Sequence, residues 1–507
     1  MEHFEGKTEE FSILNLSAEK HDADGIASFF QDLNLLQVID KLAKKWGKDV
    51  RKLYLYVPAT QEEEAYRRAV YGDIKQDAVY QALMTFISKL AEVETLREAG
   101  EKVQAHIQKA VWTVREVGVY CSAYDELVRE LEQAELTSQG MQRFTRILRG
   151  IMDSDYGKIL EKTQALIKQM RELRFVITYD KDRISVALGT IPGEGQYSEM
   201  LKSKGGKGVK PFLNPFRTEP SLTELERACL EILIDKNEDF FRDLKNTADS
   251  IADYEKPVLK RFEQEIIFYL SFRTLTYDME KAGFRFATPE PPGMRRMEAE
   301  GLYDLALALT SLDTGKEVVP NDFYYDEGES FFVLTGPNQG GKTTFARSLG
   351  QLVYFTKMGL DVPARSAKVP HFPDIQTHFS VEESVETGRG KLKEELIRLA
   401  PMMDEFKKGT FVIINELFTT AATYDAQIMG KKVLSHFIGL DCMGIYVTHL
   451  KELAEVKGGV VSLRAMLDDR RVQTFRILRG EAEDTACAEN VVNKYKLTYD
   501  QLKERLL

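Results

Sequence analysis

No stretch of the chain stays apolar for the roughly twenty residues that a membrane-spanning helix needs. The opening Met1–Glu10 is acidic and lacks the basic and apolar regions of a secretory signal, so the cytoplasm is the expected location and no membrane partner is expected. Cysteine is scarce. Cys121, Cys229, Cys442 and Cys487 are the four in 507 residues, far apart and without a C-x-x-C pair, so neither a disulfide framework nor a zinc site is indicated and packing roles remain. Tryptophan is scarcer still, and Trp46 and Trp112 both fall in helical patterns that make them packing anchors rather than platforms for stacked bases. Positive charge is not in excess either. A net charge of −11 argues against a protein that coats nucleic acid over its whole surface, while leaving room for a local basic patch. Short-period repeats are missing. What is present, 43% hydrophobic and 29% charged residues, is an ordinary globular composition long enough for several domains with large cores.

The first half is patterned as long helices. From Val103 the apolar positions Ile107, Ala110, Val114, Val117, Cys121, Tyr124, Leu127 and Leu131 recur every three or four residues, with no strong break until about Leu136. Similar stripes run through Phe29–Leu42, Leu83–Leu96, Leu160–Leu173, Leu222–Leu233 and Phe262–Met279. They predict a mainly α core and lever region over residues 1–290. Within it, Arg174–Tyr179 and Arg183–Leu188 alternate around Asp180-Lys181-Asp182 as a β-hairpin does. The Gly- and Lys-rich stretch that follows, Gly189–Pro215, carries Lys202, Lys204, Lys207 and Lys210, which reads as a solvated connector or as a contact for the phosphate backbone of DNA. Pro289-Glu290-Pro291-Pro292-Gly293 cannot continue the preceding helix and marks a boundary. Beyond it the apolar runs Phe331–Thr335, Phe411–Ile414 and Met443–Thr448 alternate with helical stretches, which predicts an α/β domain on a mainly parallel sheet over residues 291–507.

Chemistry concentrates in that second region. Gly336-Pro337-Asn338-Gln339-Gly340-Gly341-Lys342-Thr343 is a complete G-x-x-x-x-G-K-[ST] loop, entered from a strand pattern and leaving into a helical pattern, Thr344–Met358. Its glycines let successive N–H groups curl around phosphates, and the helix adds the positive end of its dipole. Lys342 would reach the β and γ phosphates of a nucleoside triphosphate, Thr343 would hold Mg²⁺, and Thr344 completes the contact. Downstream, Thr410-Phe411-Val412-Ile413-Ile414-Asn415-Glu416 is an apolar strand with a polar end, where Glu416 would orient or deprotonate the attacking water. Asn415 stands where an Asp usually supports Mg²⁺; its amide can accept a hydrogen bond from metal-bound water but brings no charge, so slow hydrolysis is expected. His449, at the end of the run Met443–Thr448, is positioned to sense the γ-phosphate, and Asp425 follows Glu416 closely enough to share its loop-to-helix connection.

The order of phosphate loop, strand ending in Glu, Thr423-Tyr424-Asp425 and Thr448-His449, together with Val319-Pro320-Asn321-Asp322 ahead of Gly336-Pro337-Asn338, resembles the ATPase domain of the MutS family, a DNA mismatch-repair branch of the ABC-type ATPases. Asp32-Leu33-Asn34, Tyr66-Arg67-Arg68 and Phe268–Met279 are similar to pieces of that family's core and lever helices. The resemblance implies an ABC-type P-loop fold, ATP with Mg²⁺, a homodimer with composite sites, and levers that clamp duplex or branched DNA through its backbone. It also implies a trans segment at Gly388, Arg389, Gly390 and Lys391, in place of the usual Gly-Arg-Ser-Thr, with Asp425 near the same interface. The amino-terminal mismatch-reading and connector domains of full repair proteins are expected to be lacking, and with them the aromatic wedge for direct mismatch recognition. Two other readings stand beside this one. A nucleotide-gated module that docks proteins and never touches nucleic acid accords with the acidic charge, and a transporter-type ABC subunit shares the loop and Glu order but has no apolar membrane portion.

Overall fold

The structure is a computed structural model that describes residues 11–16, 26–47, 49–103, 105–173, 175–180, 183–188, 224–379, 391–404, 407–468, 470, 472–481 and 503. The chain divides into two compact units, a helical one drawn from Met1–Phe11 and Gly72–Glu263 and a sheet-bearing one drawn from Ser12–Tyr71 and Gln264–Leu507. This is not the division at Pro289–Gly293 expected from pattern alone.

The sheet-bearing unit begins with α1 (Ser28–Asp32), α2 (Leu35–Trp46), α3 (Val50–Leu55) and most of α4 (Gln61–Ile74). The stripe Phe29–Leu42 predicts one helix, but Asn34 takes a left-handed φ of 56° and divides it in two. Asparagine tolerates that geometry because its short polar side chain hydrogen-bonds locally.

The helical unit contains α5 (Asp77–Glu101), α6 (His106–Gln133), α7 (Gln139–Ile151), α8 (Gly157–Glu172), the hairpin β1 (Phe175–Asp180) and β2 (Arg183–Leu188), α9 (Glu224–Lys236), α10 (Glu238–Ser250) and the start of α11 (Pro257–Lys281). The hairpin pairs antiparallel as its alternation requires, Phe175 opposite Leu188. Long α5 and α6 pack through their apolar stripes, with the Phe86 and Tyr124 rings 4.8 Å apart, and Trp112 is a packing anchor beside Leu96 and Val103. Ser138 caps α7, and Asp73 accepts from the backbone N–H and the hydroxyl of both Thr137 and Ser138, which fixes the chain's entry into that helix. A π-turn, Met152–Tyr156, separates α7 from α8, and no residue type in the sequence signalled it.

The sheet-bearing unit resumes with β3 (Met297–Leu302), α12 (Leu305–Thr314), β4 (Asn321–Tyr325), β5 (Phe331–Thr335), α13 (Lys342–Lys357), β6 (Ser366–Lys368), β7 (Ile375–Phe379), α14 (Lys391–Asp404), β8 (Phe411–Asn415), α15 (Thr423–Gly439), β9 (Met443–Val447), β10 (Val460–Leu467) and β11 (Gln473–Arg479). Among the described residues the larger sheet has the order β11-β10-β5-β9-β8-β7, parallel except for β11, and a second, antiparallel sheet has the order β4-β3-β6. Strands β5, β8 and β9 are buried at every position, which is why they read as unbroken apolar runs. β7, β10 and β11 carry polar residues and left no such trace.

Helix α13 is buried along its whole length from Ser348 to Lys357, and much of its cover comes from the amino-terminal segment of the same unit. Arg347 donates to the Asp32 carbonyl at 2.9 Å, Gln351 to the Leu33 carbonyl at 2.9 Å, and Tyr354 to the Tyr54 carbonyl at 2.7 Å. At Gly350 a Cβ would stand 2.5 Å from Leu33, so the contact is too close for any larger residue. Residues 28–68 therefore belong to the cover of α13, although their pattern alone groups them with the helical half.

Candidate functional site

Three strands that neighbour one another in the sheet, β5, β9 and β8, end on the same edge, because parallel strands bring their carboxyl ends together. The loop Gly336–Gly341 leaves β5 there. Gly336 takes φ 137° and a Cβ on it would lie 2.9 Å from that of Ala465, while Gly341 takes φ 88°, so the loop's curl requires residues without side chains at both positions. Gly340 is buried, and Pro337, Asn338 and Gln339 form the outer part of the loop, with Asn338 and Gln339 exposed. Gln473 of β11 donates to the Asn338 carbonyl at 3.0 Å and holds that outer part. Lys342 is 4% exposed, and its ammonium donates to the carbonyls of Gly336 at 3.0 Å and Pro337 at 2.9 Å, which sets the charge inside the curl. Thr343 and Thr344 continue the first turn of α13, half-buried, where free N–H groups and the helix dipole favour an anion.

The end of β8 meets this loop directly. The Thr343 hydroxyl donates to Oδ1 of Asn415 at 3.1 Å, so two neutral oxygen ligands stand side by side at the foot of the loop. Hard oxygen donors of this kind suit Mg²⁺, directly or through its waters. Among the described residues no group of three or more His, Cys, Asp and Glu is arranged to hold a metal, so such an ion would lean on these two oxygens and on phosphate. Glu416 follows with a left-handed φ of 56°, its N–H bonded to the Val447 carbonyl of β9 at 2.9 Å. Oε1 of Glu416 lies 3.5 Å from Nε2 of His449, and both side chains are part-exposed at 31% and 48%, so the pair opens to the solvent from which a water would come. Thr448, buried, ties the His449 turn to β5 through its N–H on the Leu334 carbonyl at 3.0 Å.

Lys342, Thr343, Asn415, Glu416 and His449 are thus collected on one edge. Asp425 is exposed in the first turn of α15, next to Tyr424, which is 72% exposed. Lys391 is the first residue of α14. Gly388, Arg389 and Gly390 lie outside the described residues, as do Lys202, Lys204, Lys207 and Lys210.

Other residues at the edge escaped the sequence. Phe475 of β11 takes a left-handed φ of 57°, is 46% exposed, and sets its ring 3.4 Å from where a Cβ of Gly341 would be. Asn321 holds it there, donating to the Phe475 carbonyl at 3.1 Å and accepting from Ile477 N–H at 2.7 Å. A lone aromatic in a polar strand carries no signal by itself; only the fold brings it over the loop. Glu395 of α14, 3% exposed, accepts from Phe418 N–H at 3.1 Å in the turn after Glu416. His378 of β7 is 1% exposed, and among the described residues neither ring nitrogen has a hydrogen-bond partner; burial, and then the nearby Arg398 guanidinium, push its imidazole down to about 4.

Residues 332–488, which include this whole edge, match the family model of MutS domain V. The DNA mismatch repair protein MutS of Fervidobacterium nodosum is 31% identical over 154 residues, covering 30% of this chain and 19% of that protein. The DNA mismatch repair protein MutS of Thermotoga neapolitana is 24% identical over 352 residues, 66% of this chain and 41% of that protein. Endonuclease MutS2 of Alkaliphilus metalliredigens is 24% identical over 338 residues, 66% of this chain and 40% of that protein. The chain spans less than half the length of these curated relatives. Among the described residues no helix is long and apolar enough to cross a membrane.

Proposed function

The chain belongs to the MutS family, and on that premise we propose that it is an ATPase in which nucleotide binding draws two copies together and moves helical levers on DNA. The observation that carries the reading is the meeting of Lys342, Thr343, Asn415 and Glu416 at the sheet edge where β5 and β8 end on either side of β9. Lys342 neutralises charge on the β and γ phosphates, and the α13 amino terminus adds its dipole. Thr343 and Asn415 would hold Mg²⁺, which would screen the phosphate charge. Phe475, exposed beside the loop and braced by Asn321, offers its ring to the base. Glu416 orients the attacking water and His449 senses the γ-phosphate. Asn415 brings no negative charge to the metal, which supports slow turnover.

Closure follows from differential contact. A γ-phosphate that touches the loop of one copy and the Gly388–Lys391 segment and Asp425 region of the other stabilises only the closed pair, so ATP favours closure by mass action. Hydrolysis removes that bridge. Its DNA role is proposed as backbone clamping on duplex or branched DNA. The test is Glu416→Gln with ATP and Mg²⁺. Light scattering should report a dimer that persists after the wild type has returned to monomer, and an unchanged dimer population in the variant would defeat the hydrolysis-gated cycle.

A further inference from the structure

Glu416 and Phe418 both adopt left-handed backbone angles, 56° and 63°, although neither is glycine. Such a conformation persists only where neighbours over-determine it, and it gathers where a side chain must be aimed. Two donors in this turn are held from different elements. Glu416 N–H is bound by the Val447 carbonyl of β9 at 2.9 Å, and Phe418 N–H is bound by Oε2 of Glu395 at 3.1 Å. Farther along, the Phe418 carbonyl accepts from Ala421 N–H at 3.1 Å and closes the turn. Glu395 is 3% exposed and sits one helical turn into α14, the helix that Lys391 opens. Leu399 of α14, Phe418 of the turn and Tyr446 of β9 share one buried apolar cluster beside it. Burying a carboxyl group costs its hydration, so the hydrogen bond that Glu395 does accept, from the backbone of the turn carrying Glu416, matters to both.

We propose that Glu395 is a positioning residue for hydrolysis: it ties α14, the helix that follows Gly388–Gly390, to the turn carrying Glu416, so that a shift of α14 re-aims the Glu416 carboxylate. The inference rests on the reading of Glu416 as the group that orients the attacking water. The loop and Lys342 are carried by other elements, β5 and α13, so nucleotide affinity and turnover separate when Glu395 is changed. Whatever engages the start of α14 reaches the catalytic turn of the same chain through this carboxylate, beside the apolar cluster that Leu399, Leu417 and Phe418 share.

The experiment measures ATP affinity by calorimetry and steady-state kcat and KM on the full chain. Glu395→Gln keeps the length and the accepting oxygen and should hold kcat within about threefold of the wild type, whereas Glu395→Ala should lower kcat about a hundredfold with ATP affinity nearly unchanged, the scale expected when a catalytic group is misplaced by about an ångström. Combined with Glu416→Gln, the alanine change should add little, because both act through one group. If the alanine variant does not fold, Glu395→Asp decides, since it withdraws the acceptor by one methylene and should cost about tenfold in kcat alone. A folded alanine or aspartate variant that turns over at the wild-type rate, or one whose ATP affinity falls in step with kcat, overturns the proposal. Wild-type protein that neither binds nor hydrolyses ATP overturns the underlying site reading as well, and does so before any variant is compared.

Discussion

At the scale of single residues the site depends on where charge is held. Lys342 is nearly enclosed and is kept in the loop's centre by two of the loop's own carbonyls, so it needs little reordering to meet a phosphate. Its replacement by Ala should weaken ATP binding by roughly ten- to a hundredfold in calorimetry, since hydrogen bonds to charged groups contribute about 1.5–3 kcal/mol. His378 presents the opposite case, an imidazole buried without partners and held down to about 4. Below the unfolded value near 6.5 the unfolded chain takes up a proton that the folded chain refuses until about pH 4, so stability is complete above about 6.5 and falls as pH drops through that window. The full loss is on the order of 3 kcal/mol. Thermal unfolding of His378→Leu between pH 7 and 4.5 should show a flatter decline than the wild type; equal slopes would mean the group gains a proton without cost.

Among elements, α13 carries most of the consequences because every residue from Ser348 to Lys357 is buried. Its last residue, Lys357, is 3% exposed and donates to Glu64 of α4, also 3% exposed, at 3.2 Å, and Nδ1 of His371 lies 2.9 Å from the same carboxylate oxygen. Burial lowers the Lys357 pKa, and the facing Glu64 opposes that shift. Removing one partner leaves a buried charge short of its counterion, so Lys357→Met should destabilise by about 3 kcal/mol in urea unfolding, near the low end of the usual range because His371 remains. The double change Lys357→Met with Glu64→Gln should recover part of that loss. In the middle of the helix, Gly350→Ala forces a methyl into Leu33 and Ile413, which approach to 2.5 and 2.6 Å, and should cost about 1–3 kcal/mol through overpacking. These residues link the amino-terminal segment to the phosphate-loop helix, a link that a stripe of alternating hydrophobic residues cannot announce.

For the whole molecule, the decisive property is whether an acidic chain of net charge −11 still binds DNA. If Lys202, Lys204, Lys207 and Lys210 each neutralise one phosphate, the logarithm of affinity should fall with a slope of about −3.6 against the logarithm of salt, about 150-fold between 50 and 200 mM. Filter binding of duplex and branched DNA across that series checks it, and changing the four lysines to Ala should flatten the slope. No salt dependence at all would favour the protein-docking alternative.

Residue order alone was enough to place the strands that lead to the loop Gly336–Gly341, to Glu416 and to Thr448-His449, because each is a buried run of unbroken apolar residues that ends in a polar tip. Long helices were legible for the same reason, since a repeating apolar face needs no knowledge of its partner. What covers α13, why Asn34 divides a helix, how Phe475 comes over Gly341 and how Glu395 reaches Phe418 were settled by contacts between residues from 23 to 318 positions apart or by a single left-handed angle. Such pairings depend on which surfaces meet in three dimensions, and a linear pattern records only the face each element offers.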